Sequence, residues 1–278
     1  MKLRFWLAVT VLGAFVVAGI LAAEKGPMPR EKRQEQWKKV DEAVSKGLPR
    51  TAIELLEPII AGAMADKAYP EAIKAIGRKI GLEGTIEGNK PEEKIVRLEA
   101  EIAKAPKPMV PMMEAVLAHW YWHYFQQNRW RFMQRTATAE APGKDITTWD
   151  LPRIMAEIDR HFTLALSAAP ELKKIKVSEY DDLLVKGNMP DSYRPTLYDF
   201  VAHEALTFYS AGEQAGAKPE DAFEIPADSP IFAPAEEFLK WQVETTDADS
   251  PKYKALRSYQ ELMGVQEKEE DKRDYQGV

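Results

Sequence analysis

Apolar residues recur at helical spacing along almost the whole chain after residue 30, and this periodicity constrains the fold more than any other feature. Successive stripes are formed by Trp37, Val40 and Val44, then by Ile53, Leu56 and Ile60, then by Ile73, Ile76 and Ile80. No stretch sustains the period-two alternation of a half-buried strand, and residues 174–177 form the only strand-like fragment. The sequence therefore predicts an all-α fold.

Two proline-led segments predict how the first helices are arranged. Pro49 and Pro70 each lie near the start of a helical segment, where proline is tolerated. The dipeptides Ala52-Ile53 and Ala72-Ile73 lie twenty residues apart within these segments. The spacing resembles stacked helical hairpins of the tetratricopeptide kind, although two units are too few to establish a repeat.

Prolines and charge runs divide the predicted helical chain into regions. Three prolines predict an extended connector over residues 106–111. This connector separates N-terminal helical hairpins (24–105) from an aromatic-centred helical region (112–264) that we expect to pack on them. The closing residues, 265–278, are predicted to form a charged tail.

Capping signals predict where several helices begin and end. Gly47 marks a helix end, and Thr196 followed by Asp199 has the pattern of a capping box. Ser250 and Pro251 are predicted to give the cap and first turn of the last helix, and a polar loop that ends at Asp150 precedes a helix predicted to start near Pro152.

The first 23 residues predict export. Lys2 and Arg4 precede an apolar run of nineteen residues from Phe5 to Ala23. This order is typical of a secretory signal, although the run is also near the length of a membrane anchor. Cleavage is the favoured interpretation, and anchoring stays open. In either case we expect the body of the protein in the periplasm or cell envelope.

Composition excludes several classes of function. The chain has no cysteine and a net charge of −6, which argues against thiol chemistry and against a nucleic-acid partner. Phosphate-binding glycine loops and serine-nucleophile elbows are absent. The acidic doublets at 181–182 and 236–237 cannot present both carboxylates to one bond, since adjacent helical residues point about 100° apart. None of these features indicates catalysis, and we predict no cofactor.

The stretch "HWYWHYFQQNRWRFMQRT", residues 119–136, is the densest aromatic segment. Seven of the thirteen residues from Trp120 to Phe132 are aromatic, within a helix predicted over residues 112–133. Apolar side chains occupy almost the whole circumference of this helix. Such a pattern is typical of a central helix buried on most sides, so the segment is predicted to form the core around which the hairpins stack.

Two other interpretations of this helix stay open. His119 and His123 are spaced as two zinc ligands would be, but the third ligand would have to come from His161, His203 or Glu204. Because the segment holds no glutamate between its histidines, we predict no metal site there. Alternatively, exposed aromatic rings of this helix stack on a sugar or on an apolar partner. The interaction surface predicted in that case consists of Trp120, Trp122, Trp130, Arg129 and Arg131.

Several long segments carry a family resemblance, among them "AIKAIGRKIGLEGTIEGNKPEEKIVRLEAEIAKAP", "AVLAHWYWHYFQQNRWRFMQRT", "TTWDLPRIMAEIDRHF" and "PDSYRPTLYDFVAHEALTFYSAGEQAGAKPEDAFE". Over roughly residues 35–262 the chain resembles the N-terminal helical region of large bacterial alpha-2-macroglobulin-like proteins. That resemblance implies an exported, non-enzymatic scaffold or interaction head of an endopeptidase inhibitor. Its implied partners are macroglobulin domains or other envelope proteins, with proteases contacted only indirectly.

Protease entrapment itself is not implied for this chain. The family's trapping and macroglobulin domains have no counterpart in 278 residues, so we expect a fragment or a stand-alone head. The run "AGEQ" at Ala211–Gln214 resembles the reactive thioester sequence but has no sulfur. The alternative function is that of a tetratricopeptide-like carbohydrate- or peptide-binding protein of the cell envelope.

Overall fold

The computed structural model describes residues 28–135, 143, 145–218, 220 and 223–276, with side chains up to residue 264. These residues form twelve α-helices and no strand, which confirms the predicted all-α fold of packed helical hairpins. The helices are α1 (Arg30–Ser45), α2 (Pro49–Ala65), α3 (Tyr69–Ile86), α4 (Pro91–Ile102), α5 (Val110–Gln127), α6 (Arg129–Met133), α7 (Leu151–Leu166), α8 (Ala169–Leu172), α9 (Leu197–Tyr209), α10 (Gln214–Ala217), α11 (Ala235–Lys240) and α12 (Pro251–Gln276). Short 3-10 turns lie at Ile146–Thr148, Val177–Tyr180, Asp191–Tyr193 and Pro230–Phe232.

The chain divides into two compact units, one ending at Glu83 and the other beginning at Gly84. In the first unit, α1 and α2 pack side by side as a hairpin. Gly47 has a φ of +69°, and its left-handed conformation ends α1 as predicted. The apolar stripes of the two helices meet in a core that also includes α3, formed by Val40, Ala43, Ala52, Leu56, Ile59 and Ala75.

The second unit is organised around α5, the predicted aromatic helix. This helix packs along α7 and α4, while α9 packs on α12 and also contacts α7. The helix starts agree with the predicted boundaries at Asp150 and Thr196. Asp150 accepts a hydrogen bond from the backbone N of Arg153 (2.9 Å), and Thr196 forms its capping box with Asp199. Local hydrogen bonding at these positions thus sets where α7 and α9 begin.

The aromatic helix is shorter than predicted, because it breaks at Asn128. The backbone N of Asn128 donates to the carbonyls of both Tyr124 and Phe125, and its side-chain amide donates to the Tyr124 carbonyl (2.9 Å). Asparagine side chains compete in this way with the helical hydrogen-bond pattern. The predicted single helix is therefore two helices, α5 and α6.

Three other segments also differ from the predictions. Residues 106–111 are not extended: Met109 N donates to the Pro106 carbonyl in a turn, and α5 begins at Val110. The strand-like fragment contributes one isolated bridge, Lys176 with Thr196. The backbone of α12 continues to Gln276, through most of the predicted charged tail, since Glu, Lys, Arg and Gln are good helix formers.

The predicted export signal, residues 1–23, lies outside the described residues. Among the helices that are described, none combines the length and the apolar character needed to cross a bilayer.

Two helical glycines of the first unit are expected to respond in opposite ways to substitution by alanine. A Cβ at Gly62 would lie 2.5 Å from the backbone oxygen of Met28 and 3.1 Å from Cδ of Arg33, whereas a Cβ at Gly77 would meet nothing within 4 Å. Gly77→Ala is expected to raise the free energy of unfolding by about 0.5–1 kcal/mol, because alanine favours the helix. Gly62→Ala is expected to lower the free energy of unfolding despite the same gain in helix propensity, because the backbone at Met28 would have to move. Urea unfolding of both variants measures the difference, and equal stabilisation would contradict the close approach at Gly62.

Candidate functional site

The five residues predicted as an interaction surface are separated by the structure. The Trp130 side chain is 68% exposed, whereas Trp120 and Trp122 are half-buried. Trp122 stacks on Phe125 with ring centroids 5.3 Å apart and meets Phe208 edge-on at 5.4 Å. Trp122 therefore packs mainly with core residues and contributes little to an interaction surface.

The two arginines of this predicted surface have internal partners. Nε of Arg129 lies 2.7 Å from a carboxylate oxygen of Glu213. Arg131 donates to the hydroxyl of Tyr124 (2.5 Å), and its guanidinium lies over the Tyr124 and Phe132 rings. Arg129 and Trp130 thus remain at the surface, while Arg131 is partly engaged in packing.

The core interpretation of the aromatic segment is confirmed for four of its rings, which are almost wholly buried: Tyr121, Tyr124, Phe125 and Phe132. One face of α5 is nevertheless exposed to solvent, and it carries His119, His123, Gln126 and Gln127. The helix is buried on most sides, as its apolar circumference predicts, but its polar residues share one outward face.

Of the further ligands considered from the sequence, Glu204 lies near one histidine of the exposed pair, but the distances do not make a group of three ligand atoms. His119 Nδ1 is 3.9 Å from a carboxylate oxygen of Glu204, and His123 Nε2 pairs with the side-chain amide of Gln127 at 2.8 Å. Within the described residues, the pair belongs to no group of three close ligand side chains. His161, one of the candidate third ligands, lies in a different cluster.

That cluster joins acidic side chains from three helices around His161 in the second unit. Glu157 and His161 lie one turn apart on α7, Glu114 comes from α5, and Glu99 comes from α4. His161 is only 2% exposed, Glu157 5% and Glu114 7%. We call these four residues, together with Tyr121, the α7 cluster.

Hydrogen bonds, one ion pair and one ring contact connect the members of the α7 cluster. His161 Nδ1 is 2.5 Å from Oε2 of Glu114, and its Nε2 is 3.4 Å from Oε1 of Glu157. The Tyr121 hydroxyl donates to Oε1 of Glu99 at 2.8 Å. The Tyr121 ring also stacks on the His161 imidazole, with centroids 5.4 Å apart. The imidazole is therefore held in orientation by a carboxylate and by an aromatic face.

Two arginines neutralise part of this negative charge. Arg160 donates through Nε to Oε1 of Glu157 (2.9 Å), and its Nη2 lies 3.0 Å from His161 Nε2. Arg153 Nη2 lies 3.0 Å from the other oxygen of Glu157. About half of the Arg160 side chain is exposed, so this cation reaches the cluster from solvent.

The titration behaviour of the α7 cluster reflects these contacts. The hydrogen bond from His161 is the largest influence on Glu157; with the help of Arg160 it outweighs burial and lowers the pKa of the carboxyl to about 2. Burial by itself would lower the pKa of His161, but hydrogen bonds to Glu114 and Glu157 outweigh it, and the pKa is raised. Burial, followed by the bond to Glu99, raises the pKa of the Tyr121 phenol.

One side of the α7 cluster opens into a cleft of about 760 Å³. Glu99, Tyr121 and Glu157 form part of its wall, together with residues that include Trp149 and Arg153. A second cleft of about 490 Å³ lies on another face of α7, where Lys254 pairs with Asp159 (2.8 Å). The three predicted tryptophans line neither cleft.

The acidic members of the α7 cluster were not predicted from the sequence, although a local signal exists. Glu157 and His161 interrupt the apolar stripe of α7, between Ile154, Ile158 and Phe162, at a spacing that aligns their side chains. Glu114 is likewise surrounded by apolar residues in α5. Buried charges are seldom tolerated unless they are paired, so a charged pair on an apolar stripe indicates partners on other helices.

Comparison with known proteins identifies no relative: no protein-family model matches the chain, and no curated protein or solved structure is significantly similar to it. The assignment to alpha-2-macroglobulin-like proteins therefore stays a prediction from the sequence segments quoted above. The chemistry of the α7 cluster has to be inferred from its own side chains.

Proposed function

We propose that this chain is the non-enzymatic helical head of an exported alpha-2-macroglobulin-like endopeptidase inhibitor, where it acts as a scaffold or interaction module of the cell envelope. The long sequence segments support the family, and the all-helical fold of the described residues agrees with the helical head that the resemblance implies. The partners we propose are macroglobulin domains or other envelope proteins.

The observation that carries an interaction role is an exposed apolar patch on α6. Trp130 and Met133 lie three positions apart, on one face of the helix, and are 68% and 49% exposed. Arg129 borders them and is tied to Glu213. We call these three residues the α6 patch. An exposed tryptophan beside an arginine is the composition that carries most binding energy in protein interfaces.

Binding to a macroglobulin-domain segment tests this role. We expect Trp130→Ala to weaken binding of the purified chain to such a segment about tenfold or more, because the indole supplies most of the patch's apolar area. Surface plasmon resonance with the segment immobilised measures the change. Phe232→Ala is the matched control, since Phe232 is an exposed aromatic residue (96%) outside the patch, and it should alter the affinity less than twofold.

Two results would contradict the proposal. Equal losses for Trp130→Ala and Phe232→Ala, or no binding by the wild-type chain, would remove the interaction role of the α6 patch. Stoichiometric inhibition of trypsin by the chain alone, without its digestion as a competing substrate, would show an inhibitor that acts directly rather than a head that serves other domains.

The exposed Trp130 ring also favours a second candidate, a carbohydrate- or peptide-binding protein of the cell envelope. Sugar faces and apolar peptide side chains stack on such rings. Soluble cell-wall glycan fragments that quench the fluorescence of the wild type, but not that of Trp130→Phe, would favour this candidate over the first. Shielding of Trp120, Trp122 and Trp130 from acrylamide would remove it.

A further inference from the structure

We propose that Glu99, Glu157 and His161 form a binding site for a divalent transition-metal ion of the Zn²⁺ class. This inference concerns the α7 cluster and is independent of the interaction role proposed for the α6 patch. It differs from the metal hypothesis raised by the sequence, which involved the exposed histidines of α5.

The spacing of the three side chains suits a common ion. Each offers one ligand atom, and these atoms all lie within 4.8 Å of one another. Bonds of about 2.0–2.2 Å to a tetrahedral ion place ligand atoms roughly 3.4 Å apart. His161 Nε2 and Glu157 Oε1 already have this separation, 3.4 Å. Binding therefore requires that the half-buried Glu99 side chain close by at most about 1.4 Å, and that Arg160 leave the two atoms that it contacts.

The contact between Glu114 and His161 distinguishes the α7 cluster from a cluster of acidic residues alone. The Glu114 carboxylate is 2.5 Å from Nδ1 of His161, which must donate this hydrogen bond, so Nε2 is the nitrogen that faces Glu157. Metal-binding histidines characteristically give their second N–H to a carboxylate in this way. Glu114 is thus a positioning residue that fixes the imidazole and increases the basicity of Nε2, the nitrogen that would bind the ion in place of its present contacts with Glu157 and Arg160.

A cation already lies against these ligand atoms. The Arg160 guanidinium contacts both Glu157 Oε1 and His161 Nε2, the two atoms that a metal ion would bridge. Its side chain is about half exposed, so it can turn into solvent when a smaller, doubly charged ion takes its place. Arg153 remains to pair with the outer oxygen of Glu157. We therefore expect Arg160 to compete with the metal ion.

The cleft determines which ligand can complete the coordination of the ion. Glu99 and Glu157 line it, so the ion would be reached from this side, and its fourth position would face the cleft. One histidine and two carboxylates with an open position suit Zn²⁺ and related borderline ions, whereas Ca²⁺ and Mg²⁺ take oxygen ligands alone. The occupant of the fourth position would be a water or a small oxygen ligand from the cleft.

Calorimetric titration of ZnCl₂ into the EDTA-treated chain tests the site. We expect one Zn²⁺ per chain with the wild type, and about tenfold or tighter binding with Arg160→Gln, because repulsion between two cations at one carboxylate is relieved. Glu99→Gln should weaken binding at least tenfold, and Glu114→Ala about 10–100-fold, as loss of the histidine's second partner does. Arg50→Gln, which removes an exposed arginine of α2, should leave the affinity unchanged.

The exposed histidines are excluded by titrating the His119→Ala/His123→Ala variant, which should bind Zn²⁺ as the wild type does. Binding lost in that variant would overturn the proposal. So would an Arg160→Gln protein that is folded by circular dichroism yet takes up no Zn²⁺, or a Glu99→Gln protein that binds with wild-type affinity. A four-coordinate Co²⁺ absorption band that disappears in folded Glu99→Gln would support the assignment.

Discussion

Neutralising both carboxylates around Arg33, with Asp66→Asn and Glu71→Gln together, is expected to lower the free energy of unfolding by about 3–5 kcal/mol. Arg33 is fully buried, with Nε 2.9 Å from Glu71 Oε2 and Nη1 2.6 Å from Asp66 Oδ2. Burial alone would lower the pKa of this guanidinium, yet the two carboxylates raise it. Without them a charge stays buried with no opposite charge beside it. Urea unfolding measures the loss.

An Arg33→Met background provides the control for this prediction. Methionine removes the charge and keeps much of the volume, so the same two substitutions should then cost less than about 1 kcal/mol. Asp66→Asn alone should cost less than the pair, because the Asp66 side chain is half exposed and Glu71 still faces the arginine. A cost of 3–5 kcal/mol in the Arg33→Met background would show that the carboxylates stabilise something other than the buried charge.

Phe125→Ala is expected to lower the free energy of unfolding of the second unit by about 3–5 kcal/mol. The Phe125 ring is 0% exposed and lies against Trp122 and Phe132, with centroids 5.3 Å and 5.6 Å away. Truncation would remove the buried ring and leave a cavity that the neighbouring side chains of α5 and α6 cannot fill. Chemical denaturation followed by circular dichroism measures the change.

Trp130→Ala is the matched comparison, since it removes a larger ring from the same aromatic segment. Because Trp130 is mostly exposed, its loss should change stability by no more than about 0.5 kcal/mol. Equal costs for the two variants would mean that the aromatic rings contribute by something other than their burial.

Helix existence and most helix starts could be predicted from the sequence, because they depend on neighbours in the chain. The capping bonds of Asp150, Thr196 and Ser250 each span three residues, and the left-handed turn at Gly47 needs no distant partner. The helix break at Asn128 could not be predicted from neighbouring residues in the same way. There the side chain can either face solvent or bond to the preceding turn, and periodicity does not distinguish the two.

Burial of individual rings could be predicted only in part. An aromatic residue on every side of a helix indicates that the helix is central, but not where its neighbours end. Tyr121 and Phe125 face packed helices, while Trp130 follows the break at Asn128 and lies in solvent. The predicted surface of five residues therefore contains two kinds of side chain, those at the surface and those in packing.

By itself the sequence determined that this protein is helical and where most of its helices begin, since periodicity and capping act within a few residues. Only the tertiary structure decided that Glu99, Glu114 and His161 meet. They lie on three helices, and nothing in the spacing along one helix specifies which others pack against it. Their charges are tolerated in the interior because each finds a partner there, and that pairing exists only once the helices have assembled.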